Sequence, residues 1–245
     1  MGTTNDKGVV HVVTSRDSKS LERSIIEVTR SIKLLKVFNP NLLIALIGSP
    51  EVLRNTSLPK TDFLIPSQWP EFNGYMGSKI QSILLSPFKY TLVLDNDTLP
   101  ISDISSGFDF LNNRDIALSL DSEEEVRNDT RGLTNFQNGV MFVKKSDDII
   151  TLFERWTTTV IGKGPPTPTR YVFSKLLHDS NINIYTLSRN WNLRIDDPEY
   201  RYGYIEPLLQ RSLSSARILH SHLLRPYAIE IFKRHPRFEH IKQIL

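Results

Sequence analysis

The stretch Tyr90–Pro100, YTLVLDNDTLP, is an apolar run that ends in two aspartates one residue apart. Residues 90–94 are β-branched, aromatic or leucine without polar alternation, which is typical of a strand buried on both faces of a parallel sheet. Pro100 is expected to end the segment. In an open α/β sheet, ligands bind just beyond the carboxyl ends of the strands. Asp95 and Asp97 therefore stand where such a site is expected.

The D-x-D spacing has a chemical consequence. Side chains alternate along an extended backbone, so Asp95 and Asp97 should project to the same side. Two hard carboxylate ligands suit Mg²⁺ or Mn²⁺, and phosphate oxygens usually complete the coordination shell. Aspartate is also common in turns after strands, so the bare motif is equally compatible with a structural turn. Its position at the end of a buried strand favours the metal-binding interpretation.

The composition is ordinary for a soluble globular protein. The chain has 245 residues, enough for one α/β domain with an ample core, and is 39% hydrophobic and 23% charged. The absence of cysteine excludes disulfides, Cys₄ zinc sites and thiol nucleophiles. No apolar run approaches a membrane span, and the polar start MGTTNDKG does not resemble a signal peptide. We expect a single domain, residues 1–245, of a cytoplasmic protein.

Basic residues are concentrated near the end of the chain, although the formal net charge is only +3. The excess lies between Arg217 and Lys242 and suits an anionic partner such as a diphosphate; a solvated basic helix face would have the same composition. Residues 229–245 mix apolar and basic side chains as an interfacial helix does, which predicts peripheral contact with a membrane. Nucleic-acid binding is not expected, because few stacking aromatics are interleaved with the basic residues.

Apolar periodicity predicts alternating strands and helices along the chain. Strands are expected at 8–15, 42–47, 62–65, 90–94, 115–120, 136–143, 183–187 and 217–222, and helices at 21–37, 77–85, 104–111, 147–160 and 170–178. The first strand, helix and strand form a βαβ unit, which implies parallel pairing. The predicted fold class is α/β, with a mostly parallel central sheet flanked by helices.

Three further features stand out from this pattern. Gly139 lies inside a predicted strand, where a glycine either lets another group approach the backbone closely or marks a bulge. His11 lies inside an apolar strand and is expected to be buried and hydrogen-bonded. Residues 121–134 form the most polar stretch and are expected to be an exposed loop or a loop that closes over a ligand.

With this order established, the chain resembles GT-A-fold glycosyltransferases, in particular the group of glycogenin and the bacterial lipopolysaccharide galactosyltransferases. In that family a helix with a basic residue precedes the strand that ends in D-x-D, as Lys79 precedes Asp95 and Asp97 here. A later family strand carries Asn, a small residue, Gly and Val. The corresponding run here is NFQNGVMFV, which contains Asn138 and Gly139.

The resemblance continues toward the C-terminus, with one departure. The family has a His that completes the metal site, followed by Lys-Pro-Trp; this sequence has His220, followed by Arg225, Pro226 and Tyr227. Arg is a suitable replacement for Lys, because its planar guanidinium binds two phosphate oxygens at once. Family members usually carry Asp-Gln at the start of the helix after a proline-rich loop, where Arg170 stands here.

The resemblance implies a GT-A (Rossmann-like) fold and transfer of a sugar from a UDP- or GDP-sugar to a hydroxyl of a glycan or other acceptor. Residues 1–100 would form the nucleotide-binding half, and residues 101–245 the acceptor-side half with a metal- and diphosphate-binding strand and a basic tail. The expected cofactor is Mn²⁺ or Mg²⁺, with Asp95, Asp97 and His220 as ligands. The expected contacts to the nucleotide-sugar are Thr14, Ser15, Arg16, Lys79, Asp95 and Arg225.

The expected catalytic residues are Asp97, Asn138 and Asp121, and two stereochemical outcomes remain open. If the anomeric configuration is retained, as in the family members that this chain resembles, the leaving phosphate takes the acceptor proton and no separate base is required. If it is inverted, a carboxylate must activate the acceptor hydroxyl, a role that Asp121 or Asp129 could fill. The resemblance favours retention.

Two other functions are compatible with the same residues. The run LVLDNDTL is close to the nucleophile motif of haloacid-dehalogenase-type phosphohydrolases, in which Asp95 would attack phosphorus and Asp97 would act as acid and base. The pair Asp147–Asp148 or Asp196–Asp197 would then bind Mg²⁺. That motif normally has a glycine before the threonine and belongs to the first strand of its fold, whereas three predicted strands precede it here.

The second alternative is a non-catalytic protein that binds sugar nucleotides.

Overall fold

The computed structural model describes residues 6–14, 17–67, 80–120, 135–163, 169–194, 213–220 and 235–244. Its strands are β1 (Lys7–Val13), β2 (Leu43–Gly48), β3 (Phe63–Pro66), β4 (Tyr90–Leu94), β5 (Thr98–Pro100), β6 (Ile116–Leu120), β7 (Phe136–Lys144), β8 (Ile184–Thr186), β9 (Leu193–Arg194) and β10 (Ile218–His220). Its α-helices are α1 (Ser18–Phe38), α2 (Pro50–Leu53), α3 (Ser82–Leu85), α4 (Asp147–Lys163) and α5 (Thr169–His178). Helices of the 3-10 type span Ser105–Leu111, Arg189–Trp191 and Pro236–Ile241.

Among the described residues, seven strands form one large sheet in the order β3-β2-β1-β4-β7-β6-β8. β1 pairs in parallel with β2 and β4, β2 with β3, and β6 with β8. β7 runs antiparallel to both of its neighbours, β4 and β6. The predicted α/β class with a mostly parallel central sheet is therefore confirmed. Because β1, β2, β3 and β4 run in one direction, their carboxyl ends share one edge, and β7 begins at that edge.

A second sheet of three strands, in the order β5-β10-β9, follows directly from the D-x-D turn. β10 runs antiparallel to β5 and parallel to β9, with Ile218 opposite Pro100 and His220 opposite Thr98. Extended structure resumes after the acidic pair as β5 and ends at Pro100, where the end of the segment was expected. Proline is tolerated there because β5 lies at the edge of the small sheet.

One face of the large sheet is covered by α1. The helix begins after Asp17, whose carboxylate accepts a hydrogen bond from the Ser20 backbone N–H at 2.7 Å, while the Ser20 hydroxyl accepts one from the Asp17 N–H at 3.0 Å. This reciprocal pair is a capping box. The apolar positions at helical spacing, among them Val28, Ile32 and Leu35, are buried in the same cluster as residues of β1, β2 and β4.

The opposite face is covered by α4 and α5. Phe153, Trp156 and Phe173 are buried there, with the Trp156 and Phe173 ring centroids 4.4 Å apart. The Trp156 indole N–H donates to the Thr169 carbonyl at 3.0 Å, which ties the middle of α4 to the start of α5.

The segment 235–244 closes over the small sheet. Phe238 and Ile241 are buried in one cluster with Leu99 and Leu219 of β5 and β10. The Arg237 guanidinium donates to the carbonyls of Leu213 and Ser214 at 2.7 and 2.8 Å. In this part of the predicted interfacial helix, the large apolar residues therefore face the protein core. Residues 229–234 lie outside the described residues, and membrane contact stays a prediction.

Within the described ranges, none of the helices combines the length and the apolar character that crossing a bilayer requires.

His11 is fully buried in the middle of β1, as predicted. Within the described residues, the polar contact of the ring is with the Leu94 backbone and lacks full hydrogen-bond geometry. Burial lowers the pKa of His11 from 6.5 to about 3, and the nearby Leu94 backbone opposes this only in part. The folded protein therefore holds a neutral imidazole over a pH range in which an unfolded chain would bind a proton.

We expect acid to destabilise the protein through this residue. Between pH 6.5 and about 3 the unfolded state binds a proton that folded His11 does not, so stability falls as pH is lowered. His11→Leu, which keeps an apolar group of similar size, should reduce the loss between pH 7 and pH 5 by about 2 kcal/mol. Urea unfolding of wild type and variant at the two pH values measures this. An unchanged loss in the variant would contradict the assignment.

Candidate functional site

The acidic pair lies in a tight turn between β4 and β5. The Thr98 backbone N–H and hydroxyl both donate to the Asp95 carbonyl, at 3.1 and 2.6 Å. The Asp95 N–H donates to the Gly139 carbonyl at 2.9 Å, and the Asn96 side-chain amide donates to the Val12 carbonyl at 2.9 Å. These bonds attach the turn to β7 and β1. The two carboxylates therefore project from a backbone that is held on both sides.

His220, on β10, reaches this pair. Its Nε2 atom is 3.3 Å from Asp97 Oδ1 and 3.8 Å from Asp95 Oδ2. The three side chains are between 12% and 23% exposed, so a ligand can reach the cluster from solvent. One ligand atom from each residue lies within 4.8 Å of the other two. The structure thus brings together the three residues that were predicted as metal ligands.

Gly139 makes room for this arrangement. A Cβ atom at this position would lie 2.3 Å from His220 Cε1 and 2.9 Å from Asp95 Oδ2, closer than real Cβ contacts. The pairing of β6 with β7 also shifts register between Leu118 and Leu120, opposite this part of β7. Both features expected for a glycine inside a strand, close approach and a local irregularity, are therefore present.

Asn192 supports the histidine from its other side. Its Oδ1 atom is 3.0 Å from His220 Nδ1, and the residue is only 4% exposed. Asn192 was not among the predicted site residues. It is separated from His220 by 28 positions in the chain, and no spacing or periodicity relates the two. A polar residue directly after a tryptophan, Trp191, was the only signal that the sequence offered.

The remaining predicted residues divide into two groups. Thr14 lies just beyond β1 at the same edge, and its carbonyl accepts a hydrogen bond from the Ser24 hydroxyl at 3.3 Å. Asn138 is buried on β7 beside Gly139. The residues outside the described ranges are Ser15, Arg16, Lys79, Asp121, Asp129 and Arg225.

The phosphohydrolase alternative requires acidic residues that the fold places elsewhere. Asp147 and Asp148 begin α4, directly after β7. The end of β7 pairs with Tyr90, at the start of β4, whereas Asp95 follows the end of β4. Five residues of strand, about 15 Å, separate the two edges. Asp147 and Asp148 therefore cannot share a magnesium ion with Asp95. The other pair, Asp196–Asp197, lies outside the described residues.

Comparison with known proteins gives a structural match without a sequence match. No protein-family model and no curated protein sequence matches the chain. The glycosyltransferase GlyE of Streptococcus pneumoniae TIGR4 superposes with a TM-score of 0.58 at 18% identity, over 88% of this chain and 55% of GlyE. The galactosyltransferase LgtC, solved with donor and acceptor sugar analogs, gives 0.55 at 12% identity, over 97% of this chain and 94% of LgtC. Mouse xyloside xylosyltransferase 1 gives 0.51 at 15% identity, over 88% and 97%.

The chain has the GT-A glycosyltransferase fold. This confirms the fold that the order of motifs implied. Identities of 10–18% establish the fold alone, and the chain spans only about half the length of GlyE. In this GT-A fold, the Asp–Asp–His cluster stands at the carboxyl edge of the central sheet, where ligands of open α/β sheets bind.

We expect Gly139→Ala to disrupt the cluster without unfolding the protein. The added methyl group must displace either the His220 ring, which Asn192 holds, or the Asp95 carboxylate. Mn²⁺ affinity, measured by the electron paramagnetic resonance of free Mn²⁺, should fall at least about tenfold.

The matched control for this variant is Gly162→Ala. Gly162 lies in α4, and apart from the local helix backbone no atom of the described residues is within 4 Å of the place that an added methyl group would take, so this variant should bind Mn²⁺ as wild type does. Equal Mn²⁺ affinities for Gly139→Ala and Gly162→Ala would show that the space above Gly139 is not required.

Proposed function

We propose that the protein is a metal-dependent glycosyltransferase that moves a sugar from a UDP- or GDP-sugar to a hydroxyl of a glycan or other acceptor. The observation that carries this proposal is the Asp95–Asp97–His220 cluster at the end of β4 in a GT-A fold. Carboxylate oxygens suit both Mg²⁺ and Mn²⁺, and the imidazole nitrogen favours Mn²⁺, because Mg²⁺ takes oxygen ligands.

The residues present fit a divalent cation in three respects. The ligand atoms converge within 4.8 Å, Gly139 leaves the space that a side chain would fill, and Asn192 holds the imidazole so that Nε2 faces the carboxylates. A divalent cation bound there would neutralise the negative charge that develops on the leaving diphosphate. The cluster is at a sheet edge rather than inside the core, as access for a nucleotide requires.

The other roles are assigned to residues at or near the same edge. Thr14, at the end of β1, and the following Ser15 and Arg16 would contact the base and the ribose. Lys79 and Arg225 would add fixed positive charge beside the diphosphate. In this assignment residues 1–100 form the nucleotide-binding half and residues 101–245 the acceptor-side half.

We propose retention of the anomeric configuration, with Asn138 beside the transferred sugar. Asp95 and Asp97 both face His220 and are committed to the metal cluster, so the leaving diphosphate would take the acceptor proton. Inversion would require a separate base, for which Asp121 or Asp129 is the candidate. The anomeric signals of the product in a proton NMR spectrum distinguish the two outcomes.

A panel of nucleotides tests the function. UDP, GDP and their common sugar conjugates are added with and without Mn²⁺, and binding is followed by calorimetry and thermal unfolding. One nucleotide should stabilise the protein only when Mn²⁺ is present, and its sugar conjugate should be slowly hydrolysed by transfer to water.

Two other outcomes would redirect the assignment. Metal-dependent binding without turnover, even with a range of sugar acceptors, would favour a non-catalytic sugar-nucleotide-binding protein; Arg170, in place of the family's Asp-Gln, is the residue in question. Hydrolysis of a phosphomonoester with Mg²⁺ but no nucleotide binding would favour a phosphohydrolase with Asp95 as nucleophile.

Asp97→Asn should lower the metal-dependent affinity for the nucleotide by about 100-fold or more, because a neutral amide replaces a charged ligand. The melting temperature without metal should change little, since Asp97 lies in a partly buried turn outside the apolar core and asparagine has the same shape. Calorimetric titration with nucleotide and Mn²⁺ measures the affinity. Asp109→Asn, at an exposed aspartate of the Ser105–Leu111 helix, is the control for loss of one negative charge. Full binding by Asp97→Asn would remove Asp97 from the metal site.

A further inference from the structure

We propose that Asn192 is a positioning residue that fixes the tautomer and the ring orientation of His220, so that Nε2 is the nitrogen presented to the metal. This inference rests on the proposed metal site. Asn192 itself contacts neither the cation nor the substrate in this assignment; it acts through the histidine.

The two nitrogens of the imidazole face different partners. Nδ1 lies 3.0 Å from Asn192 Oδ1, and Nε2 lies 3.3 Å from Asp97 Oδ1. An amide oxygen can only accept a hydrogen bond, so Nδ1 must carry the hydrogen that is donated to it. In a neutral imidazole the other nitrogen then keeps its lone pair. That nitrogen is Nε2, which points at the two aspartates.

The backbone of Asn192 is held in place. Its N–H donates to the Arg189 carbonyl at 3.1 Å and closes the 3-10 helix. The next residue, Leu193, starts β9 and pairs with Leu219, one position before His220. Asn192 directly precedes β9, and His220 lies in the adjacent strand β10, so the pairing of these strands fixes the separation of the acceptor oxygen and the imidazole.

A second set of contacts clamps the same segment to the start of β10. The Arg217 backbone N–H donates to the Asn190 carbonyl at 2.7 Å, and the Arg217 guanidinium lies over the Trp191 ring, 5.1 Å from its centroid. Trp191 itself is buried. These contacts hold the 3-10 helix and β10 together on the side away from the metal cluster.

The burial of Asn192 has an energetic cost. The residue is nearly fully buried, and within the described residues its Nδ2 atom has no hydrogen-bond partner. An unsatisfied buried N–H group costs about 1–3 kcal/mol, so asparagine is a poor choice for stability alone. Leucine has a similar size and no such penalty. The benefit of asparagine at this position is therefore its oxygen, and that oxygen contacts His220.

Substitution of Asn192 should change metal affinity much more than stability. Asn192→Leu removes the unsatisfied Nδ2 group but leaves His220 Nδ1 without its acceptor, costs of similar size, so the free energy of unfolding should change little. Mn²⁺ affinity should fall about 10- to 100-fold, the usual loss when the hydrogen-bond partner of a ligating histidine is removed. Asn192→Asp keeps an acceptor oxygen in the same place and should bind Mn²⁺ within about threefold of wild type. A residue with a merely structural role would lose stability in Asn192→Leu instead.

The experiment uses the full chain and four proteins: wild type, Asn192→Leu, Asn192→Asp and Asn190→Leu. Asn190 lies two residues away, in the 3-10 helix that Asn192 follows, and its side chain accepts a hydrogen bond from the Ser215 hydroxyl rather than contacting His220. It is therefore a matched control for the same substitution. Mn²⁺ affinity is measured by electron paramagnetic resonance, stability by urea unfolding, and the His220 tautomer by long-range ¹H–¹⁵N NMR of metal-free protein at about pH 8.

We expect the Nδ1–H tautomer of His220 in wild type, Asn192→Asp and Asn190→Leu, and its loss in Asn192→Leu. The inference is overturned if Asn192→Leu keeps both the tautomer and the Mn²⁺ affinity of wild type. It is also overturned if Asn192→Asp weakens binding as much as Asn192→Leu, because the amide would then donate to Nδ1 rather than accept. If wild type binds no Mn²⁺, the metal site fails, and the NMR comparison alone still decides whether Asn192 sets the tautomer.

Discussion

The candidate site depends on the pairing of β10 with β5. The two strands have three residues each, and their register places His220 opposite Thr98, directly after the acidic pair. Strands this short are not stable on their own. Leu99 and Leu219 are buried with Phe238 and Ile241 of the last segment, so an apolar cluster holds the small sheet together. The position of the histidine relative to the aspartates is therefore determined by burial of apolar groups behind it.

The large sheet positions Asp95 and Gly139, as the small sheet positions His220. Antiparallel β7 begins at the edge where parallel β4 ends, so Gly139 lies beside Asp95 with a backbone hydrogen bond of 2.9 Å between them. The missing side chain at Gly139 is what lets the ring of His220 approach. Gly139 of the large sheet thus lies against His220 of the small sheet. A side chain at Gly139 would push His220, on β10, away from Asp95, which follows β4.

Two polar side chains buried in this fold differ in what they contact. His11 is buried as a neutral ring in β1, and we find no role for it at the site. Asn192 is also buried, but its oxygen faces His220. What distinguishes Asn192 from His11 is its contact with His220, a residue of the Asp95–Asp97–His220 cluster. Burial of a polar residue was therefore informative only once its neighbours were known.

Apolar periodicity alone predicted α1, the long strands, the α/β class and the D-x-D edge, because these depend on residues close together in the chain. The order of motifs added His220 as a partner of Asp95 and Asp97 through a family resemblance. Only the tertiary structure decided that the chain after Asp97 continues as β5, that Gly139 faces His220, and that Asn192 holds the ring. The physical reason is that strands of two or three residues and single side-chain contacts carry no periodic signal. They form where distant segments are brought together by the burial of other residues.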